Sequence, residues 1–568
     1  MVKISEMSGK GRSRASRGRG LRGSADAPLP CGNGFAAPPV PNASCILYLA
    51  VIFVVTACIV FPLLCVLTTP RLKDFVSVFS SSVWRGAMLN TLIECAASTS
   101  LSVIIGYLFA YAVVKADVPL KKIFALVPVL HLMTPPFVGG LSFILLFGRR
   151  GFFTHTLLGL DVSLYGFRGL LIAQVLCFFP IAYLMCAQVL RGINPSFEQA
   201  ARAMGASKAK IALTVTIPLS MNGILSSALF IAVSVLSDFG NPMIVAGRFR
   251  VLAVEVYTQL MGWVSAGTSA VLGLVLVAPS VVLFILQNRL LKKQSAHLAT
   301  IGAKSAPLPE KKSSPATRIF LFAFCLFISL LILAQFASIV AGAFQKLWGI
   351  DTALTLAHFK SLGKYAHELR NSLGFALIAA AVSTVFASLI SFFTLRTAFP
   401  LRKYLDVCAQ IPAAVPGSLL GLALSLAASR LHLHASAFLI VVAMTVAFLP
   451  FSYRIITTVF SQIKSTLDEG ARSLGAGKLC VLRTILSPLG RGGIFSAFIY
   501  DFVRGVGTIS AVIFLVSFTT PLASIRILTL AEQGNWGMSA ALATVLTTLT
   551  FGILLAGRIF LKMIELKK

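Results

Sequence analysis

FFPIAYLMCAQVLRGINPSFEQAARAMGASKAKIALTVTIPLS (residues 178–220) aligns without a gap with FLPFSYRIITTVFSQIKSTLDEGARSLGAGKLCVLRTILSPLG (residues 448–490). The difference in residue number between aligned positions is constant, and we call it the repeat offset. The matches include glycine, proline and charged positions: Pro180, Tyr183, Ala201, Arg202, Gly205, Ala206, Lys208 and Pro218 pair with Pro450, Tyr453, Ala471, Arg472, Gly475, Ala476, Lys478 and Pro488. Chance similarity between apolar runs does not align such residues, so the chain contains an internal repeat. Upstream, Asn90 lies opposite Asn371 at a slightly wider separation, the upstream offset, which indicates a small length difference between the copies.

The composition around this repeat is that of a membrane protein. Of 568 residues, 57% are hydrophobic and only 12% are charged, and the mean hydropathy is +0.89. A soluble chain of this length needs more charge to cover its surface. The apolar residues form runs of about 20 without strict alternation, which suits helices that cross a hydrocarbon layer and not the strands of a membrane barrel.

Twelve apolar segments are predicted to span the membrane: about 45–67, 88–114, 122–147, 168–190, 213–237, 266–288, 318–340, 371–395, 404–427, 434–459, 486–515 and 538–561. With the N-terminus inside, the predicted cytoplasmic segments hold 32 Lys and Arg residues and the outer segments hold 14. Positive charge is retained on the cytoplasmic side, so this split supports both the number of spans and two cytoplasmic termini. It also accounts for the net charge of +31 without a nucleic-acid partner.

These spans predict an all-α polytopic membrane protein in two halves. We expect a disordered basic cytoplasmic tail at 1–44, a first six-helix repeat at 45–288, a cytoplasmic linker at 289–317 and a second six-helix repeat at 318–568. The first apolar segment is too long for a typical signal peptide and favours a retained anchor. Because six spans separate equivalent points, the repeats are parallel, with a pseudo-two-fold axis along the membrane normal and a pathway between them.

The best-matched part of the repeat is a cytoplasmic loop that occurs twice. Short helices at about 195–204 and 466–474 end at Gly205 and Gly475, which suit the left-handed turn that closes a helix. Small residues on one side of each helix would let it enter a groove of a partner: Ala200, Ala201 and Ala471. Charged residues lie at the edge of this face: Glu198, Arg202, Asp468, Glu469 and Arg472.

This loop resembles the hallmark loop of permease subunits of binding-protein-dependent ABC importers, in which Glu-Ala-Ala is followed after three residues by Gly and later by a Pro. The two copies read Gln199-Ala200-Ala201, Gly205 and Pro218, and Glu469-Gly470-Ala471, Gly475 and Pro488. Gln199 and Gly470 depart from the pattern. The resemblance covers nearly the whole chain, as two fused domains of the type I importer permease fold. It implies that each loop docks in a cleft of a cytoplasmic ATPase, so that two ATPase copies bind.

The chain has no recognisable phosphate-binding loop of its own. The segment GARSLGAGK at 470–478 comes nearest, but a Walker-A loop requires G-x4-G-K followed by Ser or Thr. Here Gly475 is followed by Ala476, and Lys478 is followed by Leu479. We therefore expect no enzymatic activity and no cofactor in this chain, with ATP hydrolysed by a separate subunit.

Charged and polar residues in or beside the spans are candidates for the pathway, because charge inside a bilayer is costly. They are Glu94, Asp501, Arg504, and Asp238 and Asn241 of the segment DFGNP at 238–242. Asp501 and Arg504 are three residues apart on one helix and are predicted to pair. The DFGNP segment resembles that of ferric iron permeases, and this similarity favours iron as substrate. His131, His432 and His434 are interpreted as incidental, so no metal site is predicted.

The sequence thus predicts an importer permease of the bacterial inner membrane. An extracytoplasmic binding protein would dock on the outer loops, chiefly 148–167, 238–265, 341–370 and 516–537. 2-Aminoethylphosphonate, thiamine and a polyamine remain alternative substrates. An ion-coupled secondary transporter is a further alternative, which requires carboxylates at the membrane midplane and no ATPase. A membrane enzyme lacks a recognisable catalytic constellation.

Overall fold

The computed structural model describes residues 43–132, 137–161, 164–298 and 315–566. The tail predicted at 1–44 lies outside these residues except for its last two, and so does most of the linker predicted at 289–317. Most of the described residues are helical, and their two strands are short. The prediction of an all-α polytopic protein is confirmed. Helices suit a bilayer because they satisfy their own backbone hydrogen bonds.

The described part of the first half forms thirteen helices, several of them short. They are α1 Ala43–Val55, α2 Phe61–Leu67, α3 Leu72–Ser80, α4 Ser82–Val114, α5 Lys121–Leu132, α6 Phe137–Phe147, α7 Phe167–Gly192, α8 Pro195–Ala203, α9 Lys208–Ile211, α10 Ile217–Leu236, α11 Gly240–Val245, α12 Leu252–Met261 and α13 Ala266–Leu298. Single π-helical turns at Thr56–Val60 and Ala212–Thr216 join consecutive helices, and a third lies at Phe152–Leu157.

The described part of the second half forms twelve helices and a hairpin. They are α14 Pro315–Phe344, β1 Gln345–Leu347, β2 Asp351–Leu354, α15 Ala357–Lys360, α16 Ala366–Arg396, α17 Arg402–Gln410, α18 Gly417–Arg430, α19 Ala437–Gln462, α20 Ser465–Ser473, α21 Lys478–Val481, α22 Ser487–Leu489, α23 Arg491–Val506, α24 Ala523–Glu532 and α25 Trp536–Leu566. Short 3-10 turns lie at Ser361–Tyr365 and Ile411–Ala413, and a π-helical turn lies at Leu482–Leu486. The strands pair antiparallel, with Gln345 opposite Leu354 and Leu347 opposite Asp351.

The internal repeat persists in the positions of the helices. Helix α19 begins and ends one repeat offset after α7 begins and ends. The same holds for α20 compared with α8 and for α21 compared with α9. The π-helical turns that precede α10 and α22 keep this offset too. Pro180 and Pro450 lie inside α7 and α19 at equivalent places. The register read from the sequence is therefore the register of the fold.

The number of uninterrupted spans is lower than the twelve predicted. Within the described ranges, nine helical segments are long and apolar enough to cross a membrane, and a tenth results if α17 and α18, which are bent by 114°, count as one. Pro412 and Pro416 lie at this bend, where they remove backbone donors. The predicted span 122–147 is divided between α5 and α6, and the helical part of 486–515 ends at Val506. Apolar composition indicates membrane burial, but it does not establish one continuous helix.

The first long helix of each half packs against the other half. Thr56, between α1 and α2, shares a hydrogen bond of 2.8 Å with Tyr404 of α17. Arg430 at the end of α18 donates to Thr68 Oγ1 at 2.8 Å. In the reverse direction, Phe322 of α14 lies 5.8 Å from Phe124 of α5, measured between ring centroids. The two halves are therefore interlocked.

Glycine allows helices within each half to approach closely at repeated positions. A Cβ atom on Gly223 would lie 2.5 Å from a side-chain atom of Val189, and one on Gly493 would lie 2.4 Å from Val459. The two glycines are separated by the repeat offset, as are the two valines. Small residues at helix contacts are the usual means of tight packing in membranes. The same contact thus holds α10 to α7 and α23 to α19.

Candidate functional site

The two cytoplasmic loops have the same backbone geometry. Gly205 has φ of +81° and Gly475 has φ of +84°, the left-handed conformation that glycine adopts most readily. In each copy the glycine N–H donates to a carbonyl three residues back, at 2.9 Å, and the following alanine N–H donates five residues back, to Ala201 O at 3.1 Å and Ala471 O at 3.0 Å. These bonds close α8 and α20 with the same C-terminal motif. The predicted helix-closing glycines are confirmed.

Each loop presents apolar side chains to the solvent at equivalent positions. Met204 is 82% exposed and Leu474, its counterpart in the repeat, is 90% exposed. Phe197 and Leu467 form a second such pair and are both about half exposed. A large apolar residue repeatedly exposed at the same place is typical of a surface that a partner covers. These four residues were not predicted from the sequence, although each pair is separated by the repeat offset and could have been found in that way.

The small residues of the predicted docking face do not all lie on it. Ala200 is exposed, whereas Ala201 is buried and Ala471 is half buried. Gln199 and Glu469, at the position of the family's glutamate, are exposed. Pro218 and Pro488 are also exposed and occupy the first turns of α10 and α22.

The acidic residues Glu198 and Asp468 point away from the docking face and into their own half. Glu198 Oε1 lies 3.0 Å from Lys115 Nζ and accepts a hydrogen bond of 3.1 Å from Thr216 Oγ1. Asp468 Oδ2 lies 3.2 Å from an Arg396 nitrogen. The prediction that these two carboxylates edge the docking surface is therefore wrong, because each is occupied by an internal ion pair.

These internal pairs connect the short helices α8 and α20 to the long membrane helices. Lys115 directly follows α4 and Arg396 is the last residue of α16. The two positions are separated by the upstream offset, the one already evident at Asn90 and Asn371. Arg396 also donates to Phe460 O at 2.8 Å and to Ile463 O at 2.5 Å. Both halves thus join the docking helix to α4 or α16 by the same kind of contact.

The pathway candidates Glu94, Asp238 and Asn241 lie together. Asp238 Oδ2 accepts from Asn241 Nδ2 at 2.9 Å and from Gln174 Nε2 at 3.1 Å. The Gln174 side chain also hydrogen-bonds the carboxylate of Glu94. Burial raises the pKa of Asp238, and the hydrogen bonds from Asn241 and Gln174 oppose that shift. Gln174 was not predicted, since an amide inside an apolar run carries little sequence signal.

The candidates Asp501 and Arg504 do not form the predicted ion pair. Both carboxylate oxygens of Asp501 lack a hydrogen-bond partner among the described residues. Arg504 instead lines a cavity of about 180 Å³ between the two halves, together with Asp238. A spacing of three residues therefore places these side chains on adjacent helix positions without joining them.

That cavity, called the axial cavity below, lies where equivalent segments of the two halves meet. Ser237 to Gly240 line one wall, and their repeat counterparts Gly507 to Ser510 line another. The bend between α17 and α18 contributes Pro412, Ala413 and Val415. This placement on the pseudo-two-fold axis is the one expected of a pathway between parallel repeats.

A larger, basic cavity of about 620 Å³ opens at the opposite end of the bundle from the docking loops. It is lined by the end of α6, by the start of α25, by the hairpin and by Arg149, Arg150, Lys346 and His358. Arg149 donates to Asp161 at 2.8 and 3.0 Å, and these hydrogen bonds lower the pKa of Asp161. The predicted outer loops 148–167 and 341–370 therefore come together in one surface.

The histidines in the described part of the chain are not gathered around a common point. The described residues contain no group of three or more His, Cys, Asp or Glu side chains arranged to hold a metal ion. His131 packs edge-on against Phe336, and His432 and His434 are exposed.

Comparisons with known proteins agree with a membrane protein built from two copies of one domain. The chain matches the family of binding-protein-dependent transport system inner membrane components twice, at residues 102–295 and 383–565. It is 30% identical over 448 residues to the ferric transport system permease protein FbpB of Actinobacillus pleuropneumoniae, a match that covers 76% of this chain but only 64% of that protein. It is 28% identical over 495 residues to the putative ferric transport system permease protein FbpB 1 of Haemophilus influenzae, covering 82% and 78%. It is also 27% identical over 190 residues to the molybdenum transport system permease protein ModB of Escherichia coli, covering 32% and 82%.

Proposed function

Because this chain belongs to the family of binding-protein-dependent transport system inner membrane components, we propose that it is the fused permease subunit of an ATP-driven importer of ferric iron. The observation that carries the proposal is the pair of docking loops, which expose equivalent apolar side chains and close on Gly205 and Gly475. Two such surfaces suit two copies of one ATPase. The domain bounds proposed for the two permease repeats are 45–288 and 318–568, joined by the linker at 289–317.

In this proposal the chain contributes a gated path and a mechanical connection, without covalent chemistry of its own. ATP-driven closure of the two ATPases moves α8 and α20 towards each other. The ion pairs Lys115–Glu198 and Arg396–Asp468 pass that movement to α4 and α16. Opening and closing of the axial cavity then follows from a shift between two pre-existing arrangements.

The orientation we propose places both termini and both docking loops in the cytoplasm. The basic cavity lined by Arg149, Arg150 and Lys346 then faces the outside and offers a docking surface for a binding protein with acidic side chains. The chain lies in the inner membrane, and its partners are the ATPase, the binding protein and the bilayer.

Iron is favoured by the ferric relatives and by the acidic, oxygen-rich side of the axial cavity. A second candidate is an oxyanion such as molybdate, which is favoured by Arg504 on the other side of that cavity and by the similarity to a molybdenum permease. The two candidate substrates differ in the sign of their charge. Measuring the uptake of both in one experiment separates them.

The test is uptake of radioactive iron and of molybdate by cells that express this chain with its ATPase and its binding protein. We expect iron uptake that is abolished by Gly205→Asp combined with Gly475→Asp, because an aspartate is strained at positive φ and adds charge to an apolar surface. The ATPase should no longer co-purify with this variant. Gly86→Asp, near the start of α4 and outside both the docking loops and the predicted outer docking segments, has open space for a Cβ and is the matched control. Undiminished uptake by the double variant would refute the coupling role of the loops.

A further inference from the structure

A buried cluster of oxygen-bearing side chains lies on the first-half side of the axial cavity. It consists of Glu94 from α4, Gln174 from α7, and Asp238 and Asn241 around the start of α11. The Gln174 and Asn241 amide nitrogens both donate to Asp238 Oδ2. These bonds fix how the amides are turned, so their oxygens are left as acceptors.

Three oxygens of this cluster have no hydrogen-bond partner in the described part of the chain: Glu94 Oε1, Gln174 Oε1 and Asn241 Oδ1. Their residues are 2%, 0% and 2% exposed. Buried polar atoms are nearly always paired, so three unpaired acceptors in one hydrogen-bonded cluster need an explanation. Acceptors alone can be satisfied by a proton donor or by a cation.

The fold itself does not require these side chains. At the equivalent positions of the second half stand Phe375, Met444, Thr508 and Ala511. Met444 and Ala511 are buried, so the same helices pack there with apolar residues. A purely structural network would be expected in both copies of the repeat, whereas this one occurs in the first half alone.

The cluster is in contact with the space between the halves. Asp238 lines the axial cavity, and Arg504 reaches the same cavity from the second half. Arg504 acts electrostatically on Asp238. Its guanidinium is therefore a counter-charge for the carboxylates when no cation is bound, and it would repel a cation that stayed there.

We propose that Glu94, Gln174, Asp238 and Asn241 form an oxygen-only half-site that holds a hard multivalent cation transiently during transport. Carboxylate and amide oxygens are the ligands such cations prefer. Two carboxylates with a neighbouring arginine make a site that binds and releases, as a conducting path requires. This inference rests on the proposed function, because it identifies where in the permease a cation substrate is held.

The test uses Tb³⁺, a hard trivalent probe, added to the purified full-length chain in lipid nanodiscs and followed by its luminescence. We expect saturable binding that weakens at least tenfold in Glu94→Gln and in Asp238→Asn. Phe375→Leu, at the position equivalent to Glu94 and outside the cavity lining, should bind as the unaltered chain does. Size-exclusion profiles check that each variant remains folded.

Equal affinity in all four proteins, or no saturable binding by the unaltered chain, would overturn the half-site. Iron uptake by the complete importer is measured in parallel. Uptake without Tb³⁺ binding refutes the half-site and leaves the proposed function standing. Site-dependent Tb³⁺ binding with no iron uptake supports the half-site and refutes iron as the cargo.

Discussion

The two halves of this chain are alike at the docking loops and unlike at the buried polar cluster between their membrane helices. At the loops, Met204 matches Leu474, and the pair Lys115–Glu198 matches Arg396–Asp468. Within the membrane, Glu94 and Gln174 correspond to the apolar Phe375 and Met444 at equivalent positions. A repeat that receives force from two identical partners must keep both receiving surfaces, whereas one half is enough to hold a substrate. In the function proposed here, energy input is therefore two-fold and substrate handling is one-sided.

The largest effect is expected when both internal ion pairs are broken. Lys115→Glu combined with Arg396→Glu places two carboxylates together in each half, and losing one partner of a buried pair costs about 3–5 kcal/mol. At about 1.4 kcal/mol for each factor of ten, uptake should fall at least about a hundredfold. The measurement is ATP-driven uptake into proteoliposomes, together with the rate of ATP hydrolysis.

Lys403→Glu, an exposed charge reversal on the same side of the molecule, serves as control for this experiment. Exchanging the charges in the first half, with Lys115→Glu and Glu198→Lys, should restore part of the uptake lost by Lys115→Glu alone. If the double reversal transports normally, the ion pairs do not transmit the movement.

A smaller effect is expected when the two loops are altered one at a time. Gly205→Asp and Gly475→Asp each impose a left-handed backbone on a side chain, at a cost of about 1–2 kcal/mol. This cost corresponds to a loss of roughly tenfold in uptake for each single variant. Transport assays of the two variants side by side should give similar values. A loss confined to one of them would break the equivalence of the loops.

The smallest effect concerns the repeated glycine contacts. Gly223→Ala and Gly493→Ala each bring a Cβ within 2.5 Å of a valine, which should destabilise the fold by about 1–3 kcal/mol. Thermal unfolding in detergent should show similar decreases in Tm for both. Gly374→Ala, in α16 with nothing within 4 Å, should be neutral or slightly stabilising. Unequal shifts would show that the halves also differ in their packing.

Much of this architecture could be predicted from the chain because the repeat carries its own register. The constant repeat offset located both docking helices and the two glycines that close them, and these are local features that sequence determines. Side-chain direction could not be predicted in this way. Glu198 and Asp468 looked like surface charges, yet each lies against a cation of α4 or α16 whose position depends on tertiary packing.

The candidate pathway was predicted less completely. Glu94 was identified because charges are rare in spans, and Asp238 and Asn241 because the DFGNP segment resembles that of ferric iron permeases. Gln174 joins them only through folding. Asp501 and Arg504 satisfied a helical spacing and still did not pair. Both carboxylate oxygens of Asp501 lack a hydrogen-bond partner among the described residues, and Arg504 lines the axial cavity. Apolar composition likewise could not reveal the bend of 114° between α17 and α18.

The interlocked first helices have a consequence for how the protein is made. Thr56 finds its partner Tyr404 only 348 residues later in the chain. At a synthesis rate of about 5–20 residues per second, Thr56 waits roughly 20 to 70 s in the bilayer before Tyr404 exists. During that time the surface that later contacts Tyr404 faces lipid. The run Ser44–Leu67, the most apolar of the nine spans, is suited to survive this period alone.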